Sequence, residues 1–197
     1  MEAAGYERGS EGYRRVLVSL FCAGIATFAQ LYSVQGVLPL VQADLGVTPA
    51  QSALAVSAAT LGLASSVVVW SAVSDRFGRR HTMIVAIIAA TVFALASIFA
   101  PSFQLLVAIR FCEGAALGGI PAVAMAYLSE EVHRKHATLA SATYISGTSI
   151  GGLSGRIIAA PMGELCGWRI GVLSVTCMAV LLSLIHISEP TRLLSIS

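Results

Sequence analysis

Arg110 and Glu113 are the two charged residues in the apolar stretch from Phe103 to Leu128. Because they are three residues apart, they share one face of a helix and are placed to form an ion pair. A charge in the middle of a bilayer costs about 2.5–3.5 kcal/mol on insertion scales, so such side chains face a partner or a polar cavity. Glu113 is the one acidic residue well inside any long apolar stretch. It is therefore the candidate for a carboxylate that gains and loses a proton, and a static ion pair is the alternative.

Arg156 is a second arginine inside an apolar stretch, the one from Ala137 to Ala160. It shares a helical strip with Tyr144, Thr148 and Gly152, and we expect it at a depth similar to that of the charged pair. Two interpretations stay open. The strip lines a polar cavity with a net positive charge, or the arginine extends to the outer headgroups.

Glycines mark where helices are expected to approach one another closely. Gly147, Gly151 and Gly155 recur at every fourth residue, which predicts a flat face for close helix contact. Gly114 and Gly118 lie on the same side of their helix as the first arginine and have the same spacing. We predict that both sets pack against a neighbouring helix.

The composition of the chain is that of a membrane protein. The 197 residues are 56% hydrophobic and 11% charged, with a mean hydropathy of +0.82, whereas a soluble domain carries about a quarter charged residues. Each long apolar stretch is near the roughly 20 residues that a spanning helix needs. We predict an all-α membrane protein with six spans, at residues 16–41, 50–73, 82–100, 103–128, 137–160 and 168–182. A polar leader (residues 1–15) precedes them, and a loop at 161–167 separates the last two.

Lysine and arginine are distributed unevenly between the two sets of connecting segments. One side has eight of them: Arg8, Arg14, Arg15, Arg76, Arg79, Arg80, Arg134 and Lys135. The other side has only Arg169. This asymmetry predicts that the leader and the first set of loops are cytoplasmic. The net charge of +2 does not favour nucleic-acid binding, and the four cysteines have no metal-ligand spacing, so no metal site is predicted.

The charged segment between the second and third spans, SAVSDRFGRRH from Ser71, resembles the signature loop of the major facilitator superfamily. The family pattern is roughly G-x-L-x-D-R-x-G-R-R/K, and serine and valine replace its first glycine and leucine here. The residues that match in register are Asp75, Arg76, Gly78, Arg79 and Arg80. One three-helix unit later, Glu164, Gly167 and Arg169 repeat the spacing of the acid, the glycine and the last arginine.

Two further segments resemble motifs of this family. LVAIRFCEGAALG, from Leu106, is similar to its fourth-helix motif, and YISGTSIGGLSGRIIAAP, from Tyr144, is similar to part of the fifth-helix motif of its exporters. In the second segment Gly152 replaces the proline of that motif, and Arg156 replaces its final glycine.

The resemblance implies the N-terminal six-helix half of a twelve-helix transporter, built as a three-plus-three inverted repeat. It is closest to bacterial drug and sugar efflux proteins. It therefore implies proton-coupled export of a small molecule by alternating access, in the bacterial inner membrane, with no cofactor besides a proton gradient. The partners implied are the lipid bilayer, the substrate and a C-terminal half, without which this fragment is expected to be inactive.

The resemblance also assigns roles to residues. Arg110 and Glu113 are the proton-coupling pair, and the signature loop is a conformational latch that meets the other half. The substrate-cavity candidates are Arg156, Tyr144, Thr148, Gln30 and Gln35. Ordinary hydrogen bonding between helices is the alternative for the two glutamines. A uniporter or importer on the same fold is the alternative function.

A protease is the remaining alternative. Ser149 lies in a G-x-S-x-G pattern and His186 lies near the sixth span, as in a rhomboid-like intramembrane protease. A hydrolase elbow needs a strand-turn-helix context, which this chain lacks. We therefore expect no enzymatic activity.

The end of the chain has an unusual composition. LSLIHISEPTR, from Leu182 to Arg192, resembles the translation of a sequencing adapter. We expect the natural sequence to stop near Leu181, inside the sixth span, and assign no function to residues 182–197. A genuine cytoplasmic tail is the alternative.

Overall fold

The computed structural model describes residues 10–131 and 136–188. These residues are helical apart from short connections. The elements are α1 (Glu11–Tyr32), a 3₁₀ turn (Ser33–Val37), α2 (Leu38–Leu45), α3 (Pro49–Phe77), α4 (Arg79–Ile98), α5 (Phe103–Leu117), α6 (Gly119–Glu131), α7 (Ala137–Cys166) and α8 (Trp168–Ser188). Because α1 continues into α2 and α5 into α6, they form six helical runs, which confirms the predicted all-α fold.

Four of these runs are long and apolar enough to cross a membrane: Glu11–Leu45, Pro49–Phe77, Arg79–Ile98 and Phe103–Ala126. Trp168–Leu184 is a shorter apolar helix. The remaining run, α7, has 30 residues, about 45 Å of helix, but many of them are glycine, serine or threonine. Its length suits a bilayer crossing, and its composition suits contact with other helices.

The first helix begins inside the predicted leader. Ser10 is its N-cap, and its hydroxyl accepts a hydrogen bond from the backbone N–H of Tyr13 at 3.1 Å. A serine at this position satisfies one of the free N–H groups of the first turn. Residues 11–15 of the predicted leader are therefore helical and continuous with the first span, whereas residues 1–9 lie outside the described part of the chain.

The predicted loop at 161–167 is helical up to Cys166. Pro161 lies inside α7 and is exposed, so its ring points away from the neighbouring helices. Ala159 and Gly163, on either side of it, are buried against the 3₁₀ turn and α8. This packing outweighs the loss of one backbone hydrogen bond at the proline.

α1 and α7 pack along most of their length, face to face and in parallel. A Cβ atom built on Gly147 would lie 2.5 Å from the carbonyl oxygen of Phe21, and one on Gly151 would lie 2.5 Å from that of Ile25. Gly155 meets the carbonyl of Ala29 in the same way. Only glycine permits such close contact, and the predicted glycine face of the fifth span is therefore present in the structure.

α3 and α5 form a second parallel pair of the same kind. Gly62 lies against the backbone of Phe111, and Gly114 lies against the backbone of Ala59. Gly118, one turn further along, faces Leu63 and Ser66. A three-plus-three repeat relates the first span to the fourth and the second span to the fifth. The pair α1 and α7 (spans one and five) then corresponds to the pair α5 and α3 (spans four and two).

The two helix junctions support the same relation between the halves of the chain. Gly78 joins α3 to α4 with φ 89° and ψ 145°, and Gly167 joins α7 to α8 with φ 92° and ψ 154°. Each glycine N–H donates to the carbonyl four residues earlier, that of Ser74 or Gly163. The sequence echo between these segments therefore corresponds to one shared backbone conformation.

α8 continues through Ser188 and so includes part of the adapter-like segment. Its apolar residues extend the sixth helix past the predicted end at residue 181. Residues 189–197 lie outside the described part of the chain. The origin of residues 182–197 stays a prediction.

Candidate functional site

Arg110 and Glu113 form an ion pair at the centre of the helical bundle. Both side chains are fully buried, and Nη1 of Arg110 lies 2.7 Å from Oε2 of Glu113. The two residues are on α5, one turn apart, as their spacing predicts. The pair neutralises its own charge, which is the condition under which two ionised groups can stay out of water.

Arg110 also binds the end of helix α1. Its guanidinium donates to the carbonyl oxygen of Gln30 at 3.4 Å and to that of Leu31. These carbonyls belong to the last turn of α1, just before the 3₁₀ turn that interrupts the first run. A helix C-terminus has carbonyls without partners and a partial negative charge, so a cation there is favourable. The ion pair and the break in the first helix are thus one structural unit.

Gln30 forms hydrogen bonds through both its side-chain amide and its backbone carbonyl. Its amide donates to the carbonyl of Ala90 on α4 at 3.1 Å, and its own carbonyl accepts from Ser33 at 2.8 Å. The side chain is buried. It therefore joins α1 to α4 beside the ion pair, in agreement with the interhelical alternative.

Arg156 stacks on an aromatic ring of the first helix. Its guanidinium carbon lies 5.0 Å from the ring centroid of Tyr32, a cation–π distance. The ring covers Gly152, where an added Cβ would be 3.3 Å from it, and the backbone of Arg156 packs on Gly36 in the 3₁₀ turn. Arg156 itself is exposed at the surface of the bundle.

The side chain of Arg156 extends back along α7, toward the N-terminal half of that helix. Its backbone is level with Gly36, but its guanidinium lies over Tyr32, four residues earlier in the parallel first helix. Gly152, beneath that ring, is at the midpoint of α7. An arginine that extends to the headgroups would point the other way. Both alternatives for Arg156 stay predictions.

The remaining predicted cavity residues separate into two groups. Gln35 is exposed in the 3₁₀ turn, three residues after Tyr32, so the two side chains lie on one face. Thr148 is half-buried, and its hydroxyl donates to the carbonyl of Ile145 at 2.7 Å. Tyr144 is buried in an apolar cluster with residues of α1 and α6 and does not join Arg156. Tyr144 lies about three turns before Arg156 on α7. Residues on one helical strip can be this far apart along the helix axis, so the strip alone did not predict that they are separate.

Arg79 of the signature loop contacts two residues of the same segment. Nη1 of Arg79 donates to Oδ1 of Asp75 at 2.5 Å and to the hydroxyl of Ser74 at 2.9 Å. Arg76 lies over the ring of Phe77 at 5.7 Å, and Arg80 is exposed. An apolar groove of about 450 Å³ runs beside this loop, lined by Trp70, Val73, Phe77, His81, Thr82 and Val85. Asp75, Arg76, Gly78 and Arg80 of the signature loop are exposed at the surface of the bundle.

A charged cluster at the opposite end was missed in the sequence. Oδ2 of Asp44 accepts from Nη1 of Arg169 at 2.6 Å and from the indole N–H of Trp168 at 2.9 Å. Arg169 also donates to the carbonyls of Ile98 and Ala100, at the end of α4. The cluster ties three helix ends together. An acid at the end of an apolar stretch was the available signal, but its partner is 125 residues away.

Tyr32 was also missed as a partner of Arg156. It was visible in the sequence as one of several polar residues before Pro39, and nothing in its spacing set it apart. The serine of the G-x-S-x-G pattern, Ser149, donates to the carbonyl of Ile145 at 3.2 Å, a common bond for a hydroxyl within a helix. That contact needs no catalytic partner.

Comparisons with known proteins agree with this arrangement. A sequence model described as Major Facilitator Superfamily matches residues 20–195. The chain is 38% identical to the inner membrane transport protein YnfM of Escherichia coli, over 88% of this chain and 42% of that protein. It is 36% identical to an MFS-type transporter of Bacillus subtilis, YybF, over 90% and 44%. It is 28% identical to the sialic acid transporter NanX of Escherichia coli, over 89% and 44%.

The chain spans less than half the length of these three relatives. The family match covers most of the chain and includes the arginine–glutamate pair, the signature loop and the broken first helix. Its apolar helices are those of a multi-pass membrane protein. This protein therefore belongs to the Major Facilitator Superfamily of membrane transporters.

Proposed function

We propose that the chain is the N-terminal half of a proton-coupled transporter that exports a small molecule by alternating access. The observation that carries this proposal is the buried Arg110–Glu113 pair on the end of helix α1. It is the one place in the described residues where an acid is fully buried in a span beside a polar helix end. A proton taken up by Glu113 changes the net charge beside the end of α1, where the 3₁₀ turn interrupts the first helix.

The coupling follows from the contacts of Arg110. With Glu113 ionised, the guanidinium has a full counter-charge at 2.7 Å and also caps two carbonyls of α1. When Glu113 takes a proton, Arg110 loses that counter-charge, and the helix end becomes its main source of negative potential. The protonation state thus biases how the break at Ser33–Val37 is held, and Gln35 and Tyr32 lie at that break.

The location and partners belong to the same proposal. The protein lies in a bacterial inner membrane with its N-terminus in the cytoplasm. The eight basic residues on one side support this orientation. A second six-helix half, which lies beyond this chain in the full-length protein, meets the surface-exposed signature loop. The chain length of the relatives supports that partner.

The experiment measures pH-gradient-driven efflux by the full-length transporter in everted vesicles. Proton release is recorded as each member of a substrate panel is added, so coupling is detected even when the natural substrate has not been identified. We expect Glu113→Gln to abolish the dependence of transport on the pH gradient. The matched control is Asp44→Asn, which neutralises an acid at the outer end and leaves the dependence intact.

Unchanged coupling in Glu113→Gln would remove this residue from the mechanism. Transport that needs no pH gradient in the unmodified protein would instead identify a uniporter, and movement of substrate in the opposite direction would identify an importer. One relative is named a sialic acid transporter, so the substrate panel includes organic acids.

A further inference from the structure

Arg156 is an intramembrane cation that no acid neutralises within the described residues. Its stacking on Tyr32 is its one polar contact there, and it has no hydrogen bond to another side chain or to a carbonyl. Arg110, by contrast, is fully buried with a carboxylate and two carbonyls. Two arginines and one glutamate leave the region around the helix break with one unbalanced positive charge.

The surface around Arg156 combines polar and apolar side chains. Ser149 is exposed two turns before Arg156 on α7, and Gln35 is exposed on the 3₁₀ turn. Leu153 and Ile157 are exposed on the same helix. An exposed arginine is unfavourable against lipid, so a charged side chain at this depth favours a water-filled cavity.

The guanidinium is also positioned before a ligand arrives. The Tyr32 ring supports its plane, and Gly152 leaves room for the ring. Stacking of this kind leaves the N–H donors at the edge of the guanidinium free to point into the cavity. A planar fork of donors matches the two oxygens of a carboxylate.

We infer that Arg156, supported by Tyr32, binds the carboxylate of a small organic anion beside the break in the first helix. This inference rests on the proposed transport function and names the substrate class of the same cavity. One carboxylate balances the one unpaired positive charge. Gln35 lies on the face of Tyr32 and offers an exposed amide to the rest of the anion.

The test is binding to the purified full-length transporter in nanodiscs, without any pH gradient. The probes are two carboxylates and their neutral amides, benzoate with benzamide and glucuronate with glucuronamide. We expect at least one acid to bind about tenfold or more tightly than its amide, the scale of charge-assisted hydrogen bonds. Arg156→Gln should remove this preference, and Arg156→Lys should retain part of it because the charge stays while the fork is lost.

Arg14→Gln is the matched control, because Arg14 is an exposed arginine at the start of α1. It should bind the acids as the unmodified protein does. Equal binding of acids and amides, or an unchanged preference in Arg156→Gln, would overturn the inference. The lysine variant keeps the test decisive if the glutamine variant does not fold. Since no gradient is used, loss of binding specificity contradicts this inference alone, and unaltered coupling in Glu113→Gln contradicts the proposed proton coupling alone.

Discussion

Replacement of Arg110 by methionine is expected to destabilise the bundle more than replacement of Arg110 and Glu113 together. Both side chains are fully buried, and their atoms are 2.7 Å apart. Removal of one member of such a pair leaves an uncompensated buried charge, which costs about 3–5 kcal/mol. Removal of both members leaves no charge, and the pair can be exchanged for apolar side chains of similar volume at far smaller cost.

The contacts of Arg110 refine these magnitudes. Arg110→Met also leaves the carbonyls of Gln30 and Leu31 without a donor, at about 1 kcal/mol each. Glu113→Leu leaves Arg110 without its counter-charge, and the helix end balances part of the charge that remains, so we expect about 3 kcal/mol. The double change Arg110→Met with Glu113→Leu should cost about 2 kcal/mol, which is the loss of the cap alone.

The assay is a double-mutant cycle on the purified 197-residue protein. Unfolding is titrated with SDS in mild detergent and followed by far-UV circular dichroism and by the fluorescence of Trp70 and Trp168. The free energy of unfolding lost in the double variant should be about 3 kcal/mol or more below the sum of the two single losses. Additive losses, or an Arg110→Met variant within about 1 kcal/mol of the parent, would refute the argument that the two charges depend on each other.

Two further predictions use the same titration. Gly78→Ala and Gly167→Ala should each cost about 1–3 kcal/mol, because both positions have positive φ and open space around the added Cβ, so the cost is one of backbone strain. Costs that differ by more than about 1 kcal/mol would contradict the equivalence of the two junctions. Gly151→Leu should cost about 3 kcal/mol or more, since its Cβ would meet the carbonyl of Ile25, whereas Leu153→Ala, at an exposed site on the same helix, should change stability by less than about 1 kcal/mol.

Features with a local physical cause could be predicted from the sequence. The spacing of Arg110 and Glu113 requires that they share a helix face, and burial in a span requires that they pair. The four-residue glycine spacing in α7 requires a close neighbour in the same way. The spacing does not identify this neighbour, which the structure shows to be α1.

Features that depend on distant contacts could not be predicted. The continuous apolar pattern predicts one unbroken first span, although Gly36 and Pro39 are available as signs of a break. The cap on the last carbonyls of α1 comes from Arg110, about 80 residues away in the chain. The hydrogen bond between Asp44 and Arg169 also joins residues that are far apart in the chain, and it could not be predicted for the same reason. A proline near the end of the fifth span predicts a loop, whereas packing on both sides of it maintains the helix.

The glycine face between α1 and α7 has a consequence for the specificity of the fold. Its contacts repeat every four residues, at Phe21, Ile25 and Ala29 on one helix, so a slide of one turn would place each glycine against an equivalent backbone. Close packing alone therefore does not select a single register. Two contacts that do not repeat every four residues select the register. The side chain of Arg156 stacks on Tyr32, and Gly36 packs on the backbone of Arg156. Arg156 thus also sets the alignment of α1 and α7.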